Sequence, residues 1–270
     1  MLTHTLNNSN PIRPLKQFGQ NYLQDKNILR KIVEEIQLQE TDVVVEIGPG
    51  KGALTEFLYS AVPTLTAVEI DTRVTEELRE RFPLATILQQ DFRDFDIERF
   101  AQEKNSRIRF VGNIPYNITS TILFALMNAG EYVKDATFLV QLEVAERITA
   151  KPGTKQFGIL GALIGAFGTS RLCFKVSPNV FYPKPKVWSA VVTVAFNEVA
   201  HDPVFREYYI KIVKAAFNKR RKTLRNSFKE SPLNDILTIE LPVDLSLRAE
   251  QLTIEDFLAI TSSYKQFKQE

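Results

Sequence analysis

Between residues 28 and 36 the apolar positions Ile28, Leu29, Ile32, Val33 and Ile36 fall three and four apart, the repeat of one helix face. Asp25 stands just ahead of them, where an N-cap accepts from the first free amides. At residue 42 the period changes. Residues 42–47 are almost continuously apolar and rich in valine, which predicts a strand buried on both faces of a parallel sheet. The run breaks at Gly48-Pro49-Gly50-Lys51-Gly52, and residues 53–60 return to helical spacing. The same alternation then repeats. A strand over 65–68 ends at Glu69, with Asp71 capping a helix over 72–81. A strand over 85–88 ends in Gln89-Gln90-Asp91, and one over 108–112 delivers Asn113 ahead of a helix-like 117–128. A fifth strand, 136–142, leads into a helix near Glu143. Strand and helix in regular turn predict an α/β fold with a doubly wound parallel sheet, whose ligands bind beyond the carboxyl ends of the strands.

Past this region a buried helix is predicted over 157–167 and strands over 172–176 and 190–196, joined by an extended loop containing Pro178, Pro183 and Pro185. From residue 202 the pattern is helical with polar breaks. The expected organisation is an irregular arm at 1–24, the α/β domain at 25–200 and a small all-helical domain at 201–270. With 44% apolar residues the chain has ample material for a core. A single cysteine, Cys173, rules out an internal disulfide framework, and two distant histidines, His4 and His201, leave little for a metal site. The first twenty residues carry no apolar signal region, and the longest apolar run, 157–167, is too short to cross a bilayer. A cytoplasmic protein without metal or membrane partner is expected.

The chemistry gathers at the predicted strand ends, where Glu46, Gly48, Glu69, Asp91 and Asn113 all fall. In Asn113-Ile114-Pro115-Tyr116, Asn113 offers a side-chain carbonyl, and Ile114 a backbone carbonyl followed by a proline that has no N–H. Tyr116 adds a flat ring on which a base can stack. A planar group bearing an NH2 fits these acceptors; the plainer alternative is a turn that ends a strand. Gly48-x-Gly50 after a buried strand admits a ligand close to the backbone. Because Gly48-x-Gly50-x-x-Ala53 also satisfies the dinucleotide fingerprint, this loop does not separate NAD from other nucleoside cofactors. Glu69 suits two ribose hydroxyls. Asp91 suits an exocyclic adenine amine, or else simply caps a turn.

Taken together, Phe18-Gly-Gln-Asn-Tyr-Leu23, Glu46-Ile-Gly-Pro-Gly-Lys-Gly52, Gln90-Asp91, Asn113-Ile-Pro-Tyr-Asn-Ile118, Phe181-Tyr-Pro-Lys-Pro-Lys-Val187 and Ala216-Phe-Asn-Lys-Arg-Arg-Lys-Thr-Leu-Arg-Asn226 resemble the ribosomal RNA adenine dimethyltransferase family, from about residue 16 to the C-terminus. The departures are Ile114 where the family often has Leu and Tyr22 where it often has Phe. The resemblance implies a Rossmann-like class I methyltransferase fold using S-adenosyl-L-methionine. Asn21, Leu23, Gly48, Gly50, Glu69, Asp91 and Asn113 would hold the cofactor. Asn113, Ile114, Pro115 and Tyr116 would present the target amine, with Phe181 stacking on the base opposite Tyr116. It further implies dimethylation of two adjacent adenosines in the 3'-terminal hairpin loop of 16S rRNA, in the small (30S) ribosomal subunit or its precursor, as part of ribosome biogenesis.

Charge sharpens this picture. The net charge is only +2, yet residues 211–229 hold eight Lys or Arg and no acid, leaving 26 basic against 32 acidic residues elsewhere. Residues 209–229 read as one helix with Val213, Phe217, Leu224 and Phe228 toward a core. Lys219, Arg220, Arg221, Lys222 and Arg225 are then the expected RNA phosphate contacts. A resistance methylase of large-subunit rRNA, an RNA-binding assembly factor and an NAD oxidoreductase are the alternatives, in that order, and a monomer is expected.

Overall fold

The computed structural model describes residues 20–197, 202–219 and 221–269. The boundary expected near residue 200 and both histidines therefore lie outside the described residues, as do Phe18, Gly19 and Arg220. A short strand β1 (Tyr22–Leu23) precedes helix α1 (Lys26–Ile36). The Asp25 side chain accepts from the Asn27 and Ile28 amides, as the sequence predicts. Then follow β2 (Val43–Ile47), α2 (Ala53–Ala61), β3 (Leu65–Glu69), α3 (Thr72–Arg81), β4 (Thr86–Gln89), α4 (Ile97–Lys104), β5 (Ile108–Asn113), α5 (Thr119–Ala129), β6 (Val133–Gln141), α6 (Leu142–Ile148), α7 (Ile159–Phe167), β7 (Gly168–Val176), β8 (Phe181–Tyr182) and β9 (Ser189–Phe196). Three helices close the described chain: α8 (Pro203–Phe217), α9 (Leu224–Lys229) and α10 (Ile254–Gln269).

Seven strands form one sheet in the order β4-β3-β2-β5-β6-β9-β7, with β1 and β8 paired apart from it. Strands β2 to β6 are parallel, whereas β9 runs antiparallel between β6 and β7. The five strands of the alternation are thus parallel, as the sequence predicts, and the antiparallel pairing is confined to the edge made by the two later strands, β9 and β7. No α-helix lies between β7 and β9, and a parallel return needs a crossover that is usually helical.

The unbroken apolar runs of the central strands follow from the pleat, because both sheet faces are covered. Val45, Ile47 and Phe110 enter the apolar cluster on one face, under α5 and α7, while their neighbours Val44 and Val111 enter the other, under α1 and α2. The first cluster continues into α8 and α10, where the buried Tyr209 hydroxyl donates to the Ala162 carbonyl at 2.9 Å.

The predicted long helix over 209–229 is two helices. α8 ends at Phe217, and α9 starts anew with Thr223 as its cap. The first amides of α9 are taken by a returning segment, with Leu224 N–H donating to the Leu247 carbonyl at 2.8 Å and Arg225 N–H to that of Leu245 at 3.0 Å. Val213, Phe217, Leu224 and Phe228 are all buried nonetheless, and Lys219, Arg221 and Lys222 sit on the turn between the two helices, with Arg225 in the first turn of α9.

The two ends of the sheet differ. Toward the amino ends of β2, β5 and β6, the Arg109 guanidinium bonds Asp42 at 2.6 Å, Asp135 at 2.7 Å and the Ile36 carbonyl, with Lys134 also on Asp42 at 2.8 Å. These charges neutralise one another and are structural. The carboxyl ends carry acids of another kind.

Candidate active site

The strand order reverses between β3-β2 and β5-β6, so the loops leaving β2 and β5 diverge and open a crevice. A cavity of about 550 Å³ fills it, a size ordinary for a cofactor site. Asn21, Leu23, Gly48, Gly50, Glu69, Asp91, Asn113, Ile114, Pro115 and Tyr116 all line it, together with Tyr22 and Glu46. Every predicted cofactor residue thus meets the Asn113 tetrapeptide in one place.

The floor is the loop after β2. Gly48, Gly50 and Gly52 have φ of +66°, +54° and +77°, a region that side chains other than glycine's rarely adopt. Gly48 N–H donates to the Val68 carbonyl at 2.9 Å, and Gly50 N–H to Glu69 Oε2 at 2.9 Å. Glu69 Oε1 accepts from Asp71 N–H at 2.8 Å. Burial raises the Glu69 carboxyl above its usual range, against the pull of these backbone bonds. Glu69 therefore shapes the loop as well as facing the cavity.

Glu46 is 1% exposed, and its Oε2 has no hydrogen-bond partner. Burial pushes its carboxyl up to about 8; Thr55 opposes the rise and the charge of Glu69 adds to it. Asp91 caps the turn over Phe92–Asp94 through a 2.9 Å bond from Arg93 N–H, and its Oδ2 also takes the Arg93 guanidinium at 2.5 and 3.0 Å. The Arg93 hydrogen bond holds this carboxyl below its usual range.

β5 passes so close to β2 that a Cβ on Gly112 would lie 2.5 Å from the Ile47 carbonyl oxygen. That approach sets Asn113 directly beside the glycine loop. Asn113 Nδ2 donates to the Asn21 carbonyl at 2.7 Å, so its remaining side-chain group is the acceptor Oδ1. Ile114 N–H is held by the Leu139 carbonyl at 3.1 Å, while the Ile114 carbonyl accepts no backbone bond among the described residues. The Tyr116 hydroxyl pairs with the buried Ser189 hydroxyl at 2.8 Å, which fixes the ring.

Residues 20–24, the described end of the arm, line the crevice. Tyr22 pairs with Tyr182 and Leu23 with Phe181, and Gln24 N–H donates to the Val180 carbonyl at 2.9 Å. Tyr22 lies over the glycine loop: a Cβ on Gly50 would stand 2.7 Å from its ring. Among the described residues its buried hydroxyl has no hydrogen-bond partner, and burial with the charges of Asp71 and Glu69 pushes it up to about 12. Phe181 does not line the cavity; it is 5% exposed, packed behind Leu23.

Tyr22 and Ser189 line or brace this site without having been assigned a role from the sequence; Tyr22 is signalled by the motif around it, whereas Ser189 gives no local signal. Glu46 does give one, as an acid in an otherwise apolar strand. The basic turn lies elsewhere. Lys219 bonds Glu230 at 2.5 Å and Lys222 bonds the same carboxylate, lowering it to about 2, while Arg221 and Arg225 are exposed. Lys214 of α8 stands 4.3 Å over the Phe124 ring, placing the basic helix against α5, which follows the tetrapeptide.

A nucleoside carrying an amino acid fits this donor set. No atom lies within 4 Å of where a Cβ on Gly48 would be, and the unpartnered Tyr22 hydroxyl and Glu46 oxygen can each meet a polar group there. Among the described residues no group of three His, Cys, Asp or Glu could hold a metal ion, and no helix is long and apolar enough to cross a membrane.

The profile of the family "Ribosomal RNA adenine dimethylase" matches residues 13–266. The ribosomal RNA small subunit methyltransferase A of Chlorobium phaeobacteroides (strain BS1) is 43% identical over 248 residues, 91% of each chain. That of Francisella tularensis subsp. tularensis (strain WY96-3418) is 40% identical over 252 residues, 92% of this chain and 96% of its own. Among solved structures, a dimethyladenosine transferase from Plasmodium falciparum superposes with a TM-score of 0.74 at 22% identity, covering 90% of this chain and 97% of its own. The 23S rRNA methyltransferase ErmE superposes at 0.64 and 24% identity, covering 89% and 99%. At that identity these two speak to the fold alone, which they share with the chain. Motifs, cavity and profile agree: the chain belongs to the ribosomal RNA adenine dimethylase family.

Proposed function

We propose that the protein dimethylates N6 of two adjacent adenosines in the 3'-terminal hairpin loop of 16S rRNA, within the small subunit or its precursor, and so serves small-subunit biogenesis. The relatives named small subunit methyltransferase A support the choice of subunit. The observation that carries the reading is the clamp on Asn113, whose amide nitrogen is given to the Asn21 carbonyl. Its Oδ1 and the Ile114 carbonyl are then two acceptors on consecutive residues of one cavity wall, suited to the two N–H bonds of an adenine amine.

Bound S-adenosyl-L-methionine supplies an electrophilic methyl group. The protein's part is to orient the nucleophile, because the N6 lone pair is delocalised into the ring. Two acceptors on the amine hydrogens favour a more tetrahedral nitrogen and turn its lone pair toward the cofactor. Neither acceptor has to act as a base, since the methylated nitrogen is a strong acid that releases its proton unaided. The target base must leave its stack, at a cost of a few kcal/mol, and stacking on Tyr116 returns about 1 to 3 kcal/mol. Phe181 joins Tyr116 only when β8 shifts off β1, since Phe181 and its strand partner Leu23 are both buried. For the cofactor, Glu69 would hold the ribose. Asp91 takes the adenine amine in competition with the exposed Arg93 side chain.

The basic turn and the helical segment around it, residues 201–270, hold the rRNA. Lys219 and Lys222 exchange Glu230 for phosphate, and Arg221 and Arg225 are exposed for it.

Asn113→Ala tests the clamp. Loss of a preorganised group of this kind costs about 3 to 4 kcal/mol, so turnover should fall roughly 100-fold or more while cofactor binding is measured separately. Near-normal turnover would contradict the role of Asn113.

A further inference from the structure

Exposed large apolar side chains are few among the described residues, and three of them fall in one short stretch: Tyr182 at 58%, Val187 at 44% and Trp188 at 51%. Single exposed apolar residues need no explanation. A cluster of this kind beside a binding site does.

Between the two aromatics stand Lys184 and Lys186, both exposed, and Pro183 and Pro185. From residue 175 to 196 the chain has three lysines and no acid. The stretch is anchored at both ends. Tyr182 belongs to β8, paired with Tyr22 over the cavity, and the Trp188 carbonyl accepts from Leu142 N–H at 2.9 Å. The next residue, Ser189, holds the Tyr116 hydroxyl at 2.8 Å. The indole itself has no ring or cation partner among the described residues, and the core makes no use of it.

Exposed rings on either side of two lysines match one chemistry in particular. Nucleobases have faces to stack, and the phosphates between them are met by the intervening cations. A membrane surface would not account for the seating of this stretch against Tyr116, and an acidic peptide would not account for the paired rings. We propose that Tyr182 and Trp188 form a stacking platform for unpaired nucleotides flanking the target adenosine, with Lys184 and Lys186 on the phosphates between them. This rests on the RNA substrate proposed above and adds to it a surface that selects unpaired over duplex neighbours.

The chain contains one tryptophan, Trp188, and eight tyrosines, so emission excited to the red of tyrosine absorption reports on this surface alone. The full-length protein would be titrated with an oligoribonucleotide hairpin bearing an unpaired loop, and with a blunt duplex of the same stem. Saturable quenching by the loop RNA and none by the duplex is expected. Trp188→Ala and Tyr182→Ala, at exposed positions, should each weaken binding of the labelled loop RNA roughly tenfold, within the range for loss of one stacked base. Each should raise KM for unmethylated small subunits similarly, and Trp188→Phe should restore most of the loss. Loop RNA that binds with unchanged emission would overturn the platform, as would wild-type affinity in both alanine variants. Quenching by anionic lipid vesicles or an acidic peptide but not by RNA would overturn it equally. These failures are distinct from failure of the functional reading, which would show as wild-type protein that transfers no methyl group to small subunits.

Discussion

Glu46→Gln should make the protein more stable, by an amount that grows with pH. The side chain is 1% exposed and one of its oxygens has no partner, so burial disfavours the charged form and raises the carboxyl from 4.5 to about 8. Below the lower value both states hold the proton and the group contributes nothing. Between the two values the unfolded chain releases the proton while the folded one keeps it. The folded state then binds more protons, and stability falls as pH rises, by about 1.4 kcal/mol per pH unit. From pH 5 to pH 7 the loss amounts to roughly 3 kcal/mol. Glutamine has nearly the same shape and no charge to bury, so this slope disappears. Urea denaturation of the cofactor-free wild type and variant, at both pH values, isolates the effect, because titrating groups remote from Glu46 cancel in the difference and only Glu69, whose charge acts on it, is coupled to the change. A gap between the two proteins that stays constant with pH would mean that Glu46 ionises normally, and would refute the reasoning.

At the opposite end of the sheet, Arg109→Ala should destabilise the protein by about 3 to 5 kcal/mol in the same assay, because it leaves Asp42 and Asp135 without their main partner in a buried setting. Activity per folded molecule should be retained, since the network is remote from the cavity. In the basic turn and the start of α9, charge reversal at Arg221 and Arg225 should weaken small-subunit RNA binding and flatten its dependence on salt concentration. Each phosphate that is no longer neutralised lowers the log–log slope by roughly 0.7 to 0.9, and filter binding across a salt series reads it directly.

The strands and their order of appearance were legible because burial on both faces writes an unmistakable apolar run, as at 42–47 and 108–112. Helix starts were legible through Asp25 and Asp71, whose side chains do cap α1 and α3. The residues assigned to cofactor and target sit at strand ends and in motifs, and all of them but Phe181 line one cavity. What was hidden depends on distant partners. Apolar patterning gives a strand but not its direction, so the reversal of β9 could not be read. The break between α8 and α9 depends on residues 245–247 returning to take the first amides of α9. Phe181 is buried through the pairing of β8 with the arm. Lys219 and Lys222 are paired with Glu230, which lies just past the acid-free window. The raised carboxyl of Glu46 is a property of three-dimensional desolvation, of which the sequence shows only an acid in an apolar strand.

The central claim is tested most directly by incubating the purified protein with labelled S-adenosyl-L-methionine and unmethylated small subunits, and in parallel with large-subunit RNA, followed by digestion to nucleosides. The account predicts N6,N6-dimethyladenosine from the small subunit and none from large-subunit RNA. Transfer to large-subunit RNA alone, or cofactor binding with no transfer to either, would contradict it.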